Sequence, residues 1–136
     1  MSARYRIAFG GAAEPHSSSG VLVSTGAGST GWLSSVFAMA GAVSRFSGGH
    51  AGRAVRLEWE DPRLVFVVRE PYVSRHSRAG IVAGMIESGG DLVLESQMPT
   101  GGVIFSDGVE ADALEFNSGA RARIRAAARK THLVVN

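Results

Sequence analysis

The chain has 136 residues, 45% of them hydrophobic and 19% charged, which fits one domain with its own core and leaves no segment that reads as disordered. It contains no cysteine, so disulfides and thiolate metal sites are excluded, and its net charge of +2 is too small to argue for a nucleic-acid partner. No apolar run reaches the roughly 18 residues of a membrane span, and none of signal length follows Met1-Ser2-Ala3-Arg4, so a cytoplasmic protein with no membrane partner is expected.

Tyr5 to Phe9 alternates apolar and polar residues and predicts a strand. Gly10 to Ser19 is rich in Gly and Ser and reads as loop. Val21 to Val23 is a short buried strand, and Thr25 to Gly31 a glycine-rich turn. A helix is predicted over roughly Thr30 to Phe46, with Trp32, Val36, Met39, Ala40 and Val43 recurring at three- and four-residue steps, and Ser47-Gly48-Gly49 stopping it. Beyond Arg45 the period changes to two. Ala54 to Trp59 alternates, and Leu64 to Val68 is a continuous apolar run. Ile81 to Ile86 and Leu92 to Glu95 flank the turn Ser88-Gly89-Gly90-Asp91. Val103 to Phe105, Leu114 to Phe116, Ala122 to Ala127 and His132 to Val135 complete the series. Turns about every ten residues predict a mainly β fold, a β-sandwich of short strands with one main helix.

Late in the chain Arg121, Arg123 and Arg125 alternate, followed by Arg129 and Lys130. Alternation puts the first three on one face of a strand. A solvated strand face is the plain reading, and a stripe facing phosphate or nucleic acid is the alternative. His16, His50, His76 and His132 show no metal-ligand spacing, and no structural metal is expected.

The chemical information concentrates in Val21-Leu22-Val23-Ser24-Thr25-Gly26-Ala27-Gly28-Ser29-Thr30-Gly31-Trp32. A strand that ends in a glycine turn and restarts as a helix brings free backbone N–H groups and the positive end of a helix dipole to one point, which favours anions. Gly26, Gly28 and Gly31 match G-x-G-x-x-G, the dinucleotide-fold fingerprint. That fold needs strands alternating with helices, whereas the chain beyond Arg45 reads as β, and the acidic residue expected about 20 positions on is missing. Ala27-Gly28-Ser29-Thr30-Gly31 also resembles a nucleophile elbow, with Asp107 and His132 following in hydrolase order. A P-loop is excluded because no Lys follows the glycines. A glycine-rich helix cap with no ligand is the remaining structural reading.

The same segment resembles the NAD kinase signature, a strand followed by T-P-T-G-S-T-A-Y and a helix. Thr25, Gly28, Ser29 and Thr30 match it, Ala27 and Gly31 depart, and Trp32 replaces the Tyr. The form T-G-x-G-S-x-x-W is similar to a divergent branch of ATP-NAD kinase-like proteins, or predicted sugar kinases. Val68-Arg69-Glu70-Pro71-Tyr72-Val73-Ser74 resembles that branch's V-R-E-P-F-x-S, and Phe105-Ser106-Asp107-Gly108 resembles the S-F-D-G turn. Together these landmarks span Gly20 to Gly108.

The resemblance implies the C-terminal, NAD-binding half of a kinase that transfers the γ-phosphoryl of ATP to NAD and forms NADP. It implies that Gly28, Ser29, Thr30, Gly31, Trp32, Ser35 and Asp107 line the NAD site. Thr30 and Ser35 would donate hydrogen bonds, and Trp32 would offer an aromatic face. ATP and Mg²⁺ would enter only with an N-terminal α/β domain, whose G-G-D-G and Asn-Glu motifs are not in this chain. Gly89-Gly90-Asp91 is followed by Leu92 within a hairpin, and no catalytic residue is expected here. Residues 1–136 are thus expected to form one C-terminal domain, whether excised or a natural fragment, inactive alone, with the kinase domain and further copies of itself as partners. Ser18 and Ser19 stand where many members carry an Asp, and Val109 where a Gln is usual. A sugar, nucleoside or lipid acceptor is therefore the alternative, as is a non-catalytic nucleotide-binding module.

Overall fold

A computed structural model describes residues 2–53, 55–106 and 109–130. The elements run β1 (Ala3–Phe9), β2 (Ala12–Ser18), β3 (Gly20–Ser24), a 3-10 turn (Ala27–Thr30), α1 (Trp32–Phe46), β4 (Leu64–Arg69), β5 (Ala83–Ile86), β6 (Leu92–Ser96), β7 (Val103–Ser106), β8 (Val109–Glu115) and β9 (Arg121–Ile124). They form a four-stranded sheet in the order β2-β1-β6-β9, a three-stranded sheet β3-β4-β5 and a two-stranded sheet β7-β8. Among the described residues every ladder is antiparallel. The fold is the mainly β sandwich with one main helix that the periodicity predicts, and it excludes the doubly wound parallel sheet of the dinucleotide fold.

β4 explains the layering. Its residues are buried on both faces, so Leu64 to Val68 reads as unbroken apolar sequence rather than as alternation. Phe66 and Val68 point into a core shared with Tyr5, Ile7, Leu92 and Leu94 of the four-stranded sheet and Ile86 of β5. Val65 and Val67 point the other way, onto Leu33 of α1 and Leu57. The order is therefore sheet, sheet, helix. Val55 and Leu57 supply the alternation seen from Ala54 to Trp59; both pack beneath α1, but the described part of this segment forms no strand.

Two expectations need correction. Gly10 to Ser19 is not loop: Gly10 (φ 59) and Gly11 (φ 82) make a two-residue hairpin turn, and Ala12–Ser18 returns along β1 as β2. Its polar composition hides the strand, and its place at the sheet edge tolerates Pro15. The buried line of α1 is Leu33, Val36 and Phe37. Of the periodic positions Trp32, Val36, Met39, Ala40 and Val43, Val36 is on that line, whereas Trp32, Met39 and Val43 stand 48%, 51% and 59% exposed. Of the smaller elements, β8 starts earlier than expected, at Val109, and β9 ends at Ile124. The strand expected at His132 to Val135 lies outside the described residues.

A buried polar chain ties the outer edge of β2 to the 72–81 segment. Tyr5 Oη lies 2.8 Å from Ser18 Oγ and 3.4 Å from His16 Nδ1, and His16 Nε2 lies 2.7 Å from Glu14 Oε1. The same carboxylate oxygen accepts the N–H groups of Gly80 and Ile81, both at 2.7 Å. The N–H groups of Tyr72 and Arg78 donate to Ser17 and Pro15 carbonyls, each at 2.8 Å. Burial pushes the Tyr5 hydroxyl up to about 12, against a smaller opposing effect of the Ser18 hydrogen bond. Burial also raises the Glu14 carboxyl, but hydrogen bonds from His16, Ile81 and Gly80 outweigh it and hold the group below the usual glutamate range. A depressed folded-state pKa gives stability that is present above the unfolded value, about 4.3, and lost as pH falls through the folded value. Urea midpoints are therefore expected to fall as pH drops from 5 toward 3. Glu14→Gln should cost roughly 1–2 kcal/mol at pH 7 and flatten that fall. Parallel acid profiles for the two chains would show that Glu14 does not carry the effect.

Candidate ligand site at the start of helix α1

β3, an edge strand of the three-stranded sheet, delivers the chain to the glycine turn. Its ladder with β4 pairs Ser24 with Val65 and Gly20 with Arg69. The turn is braced from within. The Ser29 hydroxyl is buried and donates to the carbonyl of Gly26 at 2.7 Å and, more weakly, to that of Leu57 at 3.4 Å. Thr25 Oγ1 accepts the N–H of Gly28 at 3.3 Å. Gly26 is itself buried, and a Cβ there would strike the carbonyl oxygen of Glu58. The first glycine of the motif thus serves the protein's own backbone, and Ser29 belongs to the frame of the turn rather than to its open side. That also removes Ser29 from the exposed position a hydrolase nucleophile needs.

The open side consists of Gly28, Thr30, Gly31, Trp32 and Ser35, all exposed. Helix α1 starts at Gly31 with no side-chain cap and no acidic residue in its first turn. Its leading N–H groups and dipole are therefore not neutralised by a local carboxylate. The Ser35 hydroxyl donates to the Trp32 carbonyl at 2.7 Å, so toward a ligand it is placed to accept rather than to donate. Trp32 is half exposed, which favours a surface role over a core anchor.

Arg69 brings a second segment to this point. Its guanidinium carbon lies 4.6 Å from the centroid of the Trp32 ring, a cation–π contact, and Nη2 lies 3.7 Å from Glu70 Oε2. Glu70 has φ 40, a left-handed conformation that costs a non-glycine residue about 1–3 kcal/mol. The surrounding hydrogen bonds hold it there: Ser19 N–H donates to the Arg69 carbonyl at 3.0 Å, and Tyr72 N–H to that of Ser17 at 2.8 Å. Beside Arg69, Glu70 and Pro71 opens a cleft of about 330 Å³, floored by Val67 and Val68 of β4 and walled by Val36, Phe37, Met39 and Ala40 of α1. It is apolar inside and charged at its mouth.

The glycine turn and the V-R-E-P segment, separate in sequence, therefore meet in space. Asp107, the third landmark, and His132 lie outside the described residues. Gly89-Gly90-Asp91 is the turn between β5 and β6; Asp91 is spent on Arg125, 2.7 Å away, and on Arg123, 3.5 Å away. Among the described residues no group of three or more His, Asp or Glu is placed to hold a metal. Sequence reasoning names Arg69 but does not place it over Trp32, and it leaves Phe37 out altogether. The cue for Phe37 is its spacing of four from Leu33 on the helix. No family model matches the chain, and no curated protein matches it.

Proposed function

We propose that this chain is the NAD-binding and oligomerisation half of an NAD kinase-like phosphotransferase, working in the cytoplasm. The observation that carries the reading is the contact of Arg69 with Trp32, because it joins two segments that resemble that family at the mouth of one cleft. A base of the dinucleotide would lie against the open face of Trp32. The Arg69 guanidinium and the uncapped start of α1 would face its phosphates. The cleft volume is at the lower end of small-molecule sites, which suits one nucleoside of the dinucleotide rather than the whole. Thr30 would offer its hydroxyl to a ribose. Phosphoryl transfer rests on positioning and charge stabilisation of the phosphates, and that machinery belongs to the partner α/β domain. The apolar β7–β8 sheet supports the oligomerising role: Val103 is 51% and Leu114 67% exposed on a two-stranded ribbon, which is marginal without cover.

Saturation-transfer NMR of the chain with NAD tests this. Half a site should bind weakly, with Kd about 1 mM, corresponding to about 4 kcal/mol. Trp32→Ala should weaken binding by roughly 1 kcal/mol or more, while Val43→Ala, lower on the same helix, should leave it unchanged. Equal binding of NAD by folded Trp32→Ala would sink the reading. So would NADP formation from ATP and NAD by the chain alone. Binding of adenosine nucleotides in general, without preference for NAD, would select the non-catalytic nucleotide-binding module.

A further inference from the structure

The outer face of the four-stranded sheet carries a second feature, independent of the cleft. Arg6 of β1 stands opposite Glu95 of β6, and Glu95 opposite Arg121 of β9, so one row across three strands reads Arg, Glu, Arg. Two residues along the strands, on opposite sides of this row, Arg4 of β1 and Arg123 of β9 lie on the same face. Arg125 follows beyond Ile124, and Asp91 takes its Nη2 between two carboxylate oxygens at 2.7 and 2.8 Å. Arg4, Arg6, Glu95, Arg121, Arg123 and Arg125 are all exposed.

The charge is unevenly placed. Among the described residues, five guanidinium groups against two carboxylates, Glu95 and Asp91, give this face +3. The whole chain, with 14 Lys and Arg and 12 Asp and Glu, has only +2, so everything else sums to −1. The small net charge of the sequence conceals a one-sided distribution. Guarding an exposed edge would explain charges on β9, which is an edge strand. It does not explain Arg4 and Arg6, which lie on β1 inside the sheet. Among the described residues, salt bridges engage only Arg123 and Arg125 of the five, both through Asp91.

We infer that this face docks double-stranded nucleic acid through its phosphates, without reading base sequence. Same-face residues on a strand are about 6.8 Å apart, and β1 and β9, with β6 between them, about 9.6 Å apart, so the guanidinium groups form a two-dimensional array. Arginine forks match phosphate oxygens in pairs. Among the described residues this face bears no aromatic ring on which an unpaired base would stack, which favours a duplex over a single strand. Among the described residues its apolar members, Ala8, Ala13, Pro15 and Val93, are small and sit between the charges, which disfavours a lipid surface.

Fluorescence anisotropy of a labelled 20-base-pair DNA with the full chain tests the inference. Binding is expected near 100 µM in 50 mM salt, in the range of non-specific contacts, with log K falling against log salt at a slope of about −3. The double variant Arg6→Gln/Arg121→Gln should weaken binding at least tenfold and flatten the slope toward −1. Glu95→Gln, in the middle of the row, should tighten binding several-fold. The control Arg45→Gln/Arg56→Gln removes the same total charge from the helix side of the molecule and should change binding less than twofold. Circular dichroism on each variant secures the fold. The inference is overturned if the control weakens binding as much as the double variant does. It is also overturned if no duplex binds at 1 mM protein, or if phosphatidylserine vesicles retain the chain while the duplex does not. None of these outcomes bears on NAD binding at the cleft.

Discussion

Phe66→Ala is expected to destabilise the chain by about 4 kcal/mol, lowering its melting temperature by roughly 10–15 °C. Phe66 is fully buried between the two sheets, and its ring meets that of Phe9 edge to face at 4.8 Å and 73°. The space around it is closed. A Cβ on Gly84 would lie 2.6 Å from both rings, so the glycine of β5 is part of the same fit. Removing the ring deletes a large buried apolar surface and leaves a cavity that neighbouring strands, held by their ladders, cannot collapse to fill. The total stability of a domain this size is only about 5–15 kcal/mol, so the loss is a large fraction of it. Val43→Ala on the exposed side of α1 is the comparison and should stay within about 0.5 kcal/mol. Chemical denaturation of both variants reads the difference. A loss below about 1 kcal/mol for Phe66→Ala would mean the two sheets do not pack as described.

Gly26→Ala is the second large effect, expected at about 3 kcal/mol or more from overpacking. The added methyl would meet the backbone carbonyl of Glu58, which has no rotamer with which to move aside. Gly31→Ala, five residues on, adds a methyl 3.4 Å from the Gly28 carbonyl on an open surface, and should cost well under half as much. The pair separates two uses of glycine in one motif. If Gly26→Ala folds normally while Gly31→Ala loses stability, the turn is seated differently against the 57–59 segment. If the order is as expected, Gly31 remains the position at which ligand contact can be probed without breaking the domain.

The layered architecture is legible in the sequence where burial is simple. Leu64 to Val68 reads as a strand because both of its faces are covered, and Tyr5 to Phe9 reads as one because only one face is. β2 is obscured for a physical reason. At a sheet edge, Glu14, His16 and Ser18 find polar partners inside the fold, so the strand carries no apolar alternation. The helix period locates α1 within two residues, but of its periodic positions only Val36 packs on the sheet, because an apolar helix on the outside of a small sheet buries Leu33, Val36 and Phe37. At the candidate site, the exposed hydroxyl, glycine and tryptophan of the turn are legible from the strand–turn–helix pattern. The neighbour Arg69 is not, since only the β3–β4 ladder brings it there. Nor does a charge total reveal where on the surface its terms lie.

The order of strands in the larger sheet has a consequence for how the chain is made. β1 sits between β2, which follows it at once, and β6, to which Ile7 pairs through Leu94. A ribosome that has released Ile7 needs about 4–17 s to supply its partner, at roughly 5–20 residues per second. During that interval the first hairpin has Tyr5 and Ile7 without the core that later buries them, and one long edge of β1 without a neighbour. The nascent chain therefore presents a sticky, unpaired strand throughout the synthesis of β3, α1, β4 and β5. Closing the larger sheet is the late, long-range step of folding, and the interval before it is when a holding chaperone would matter most.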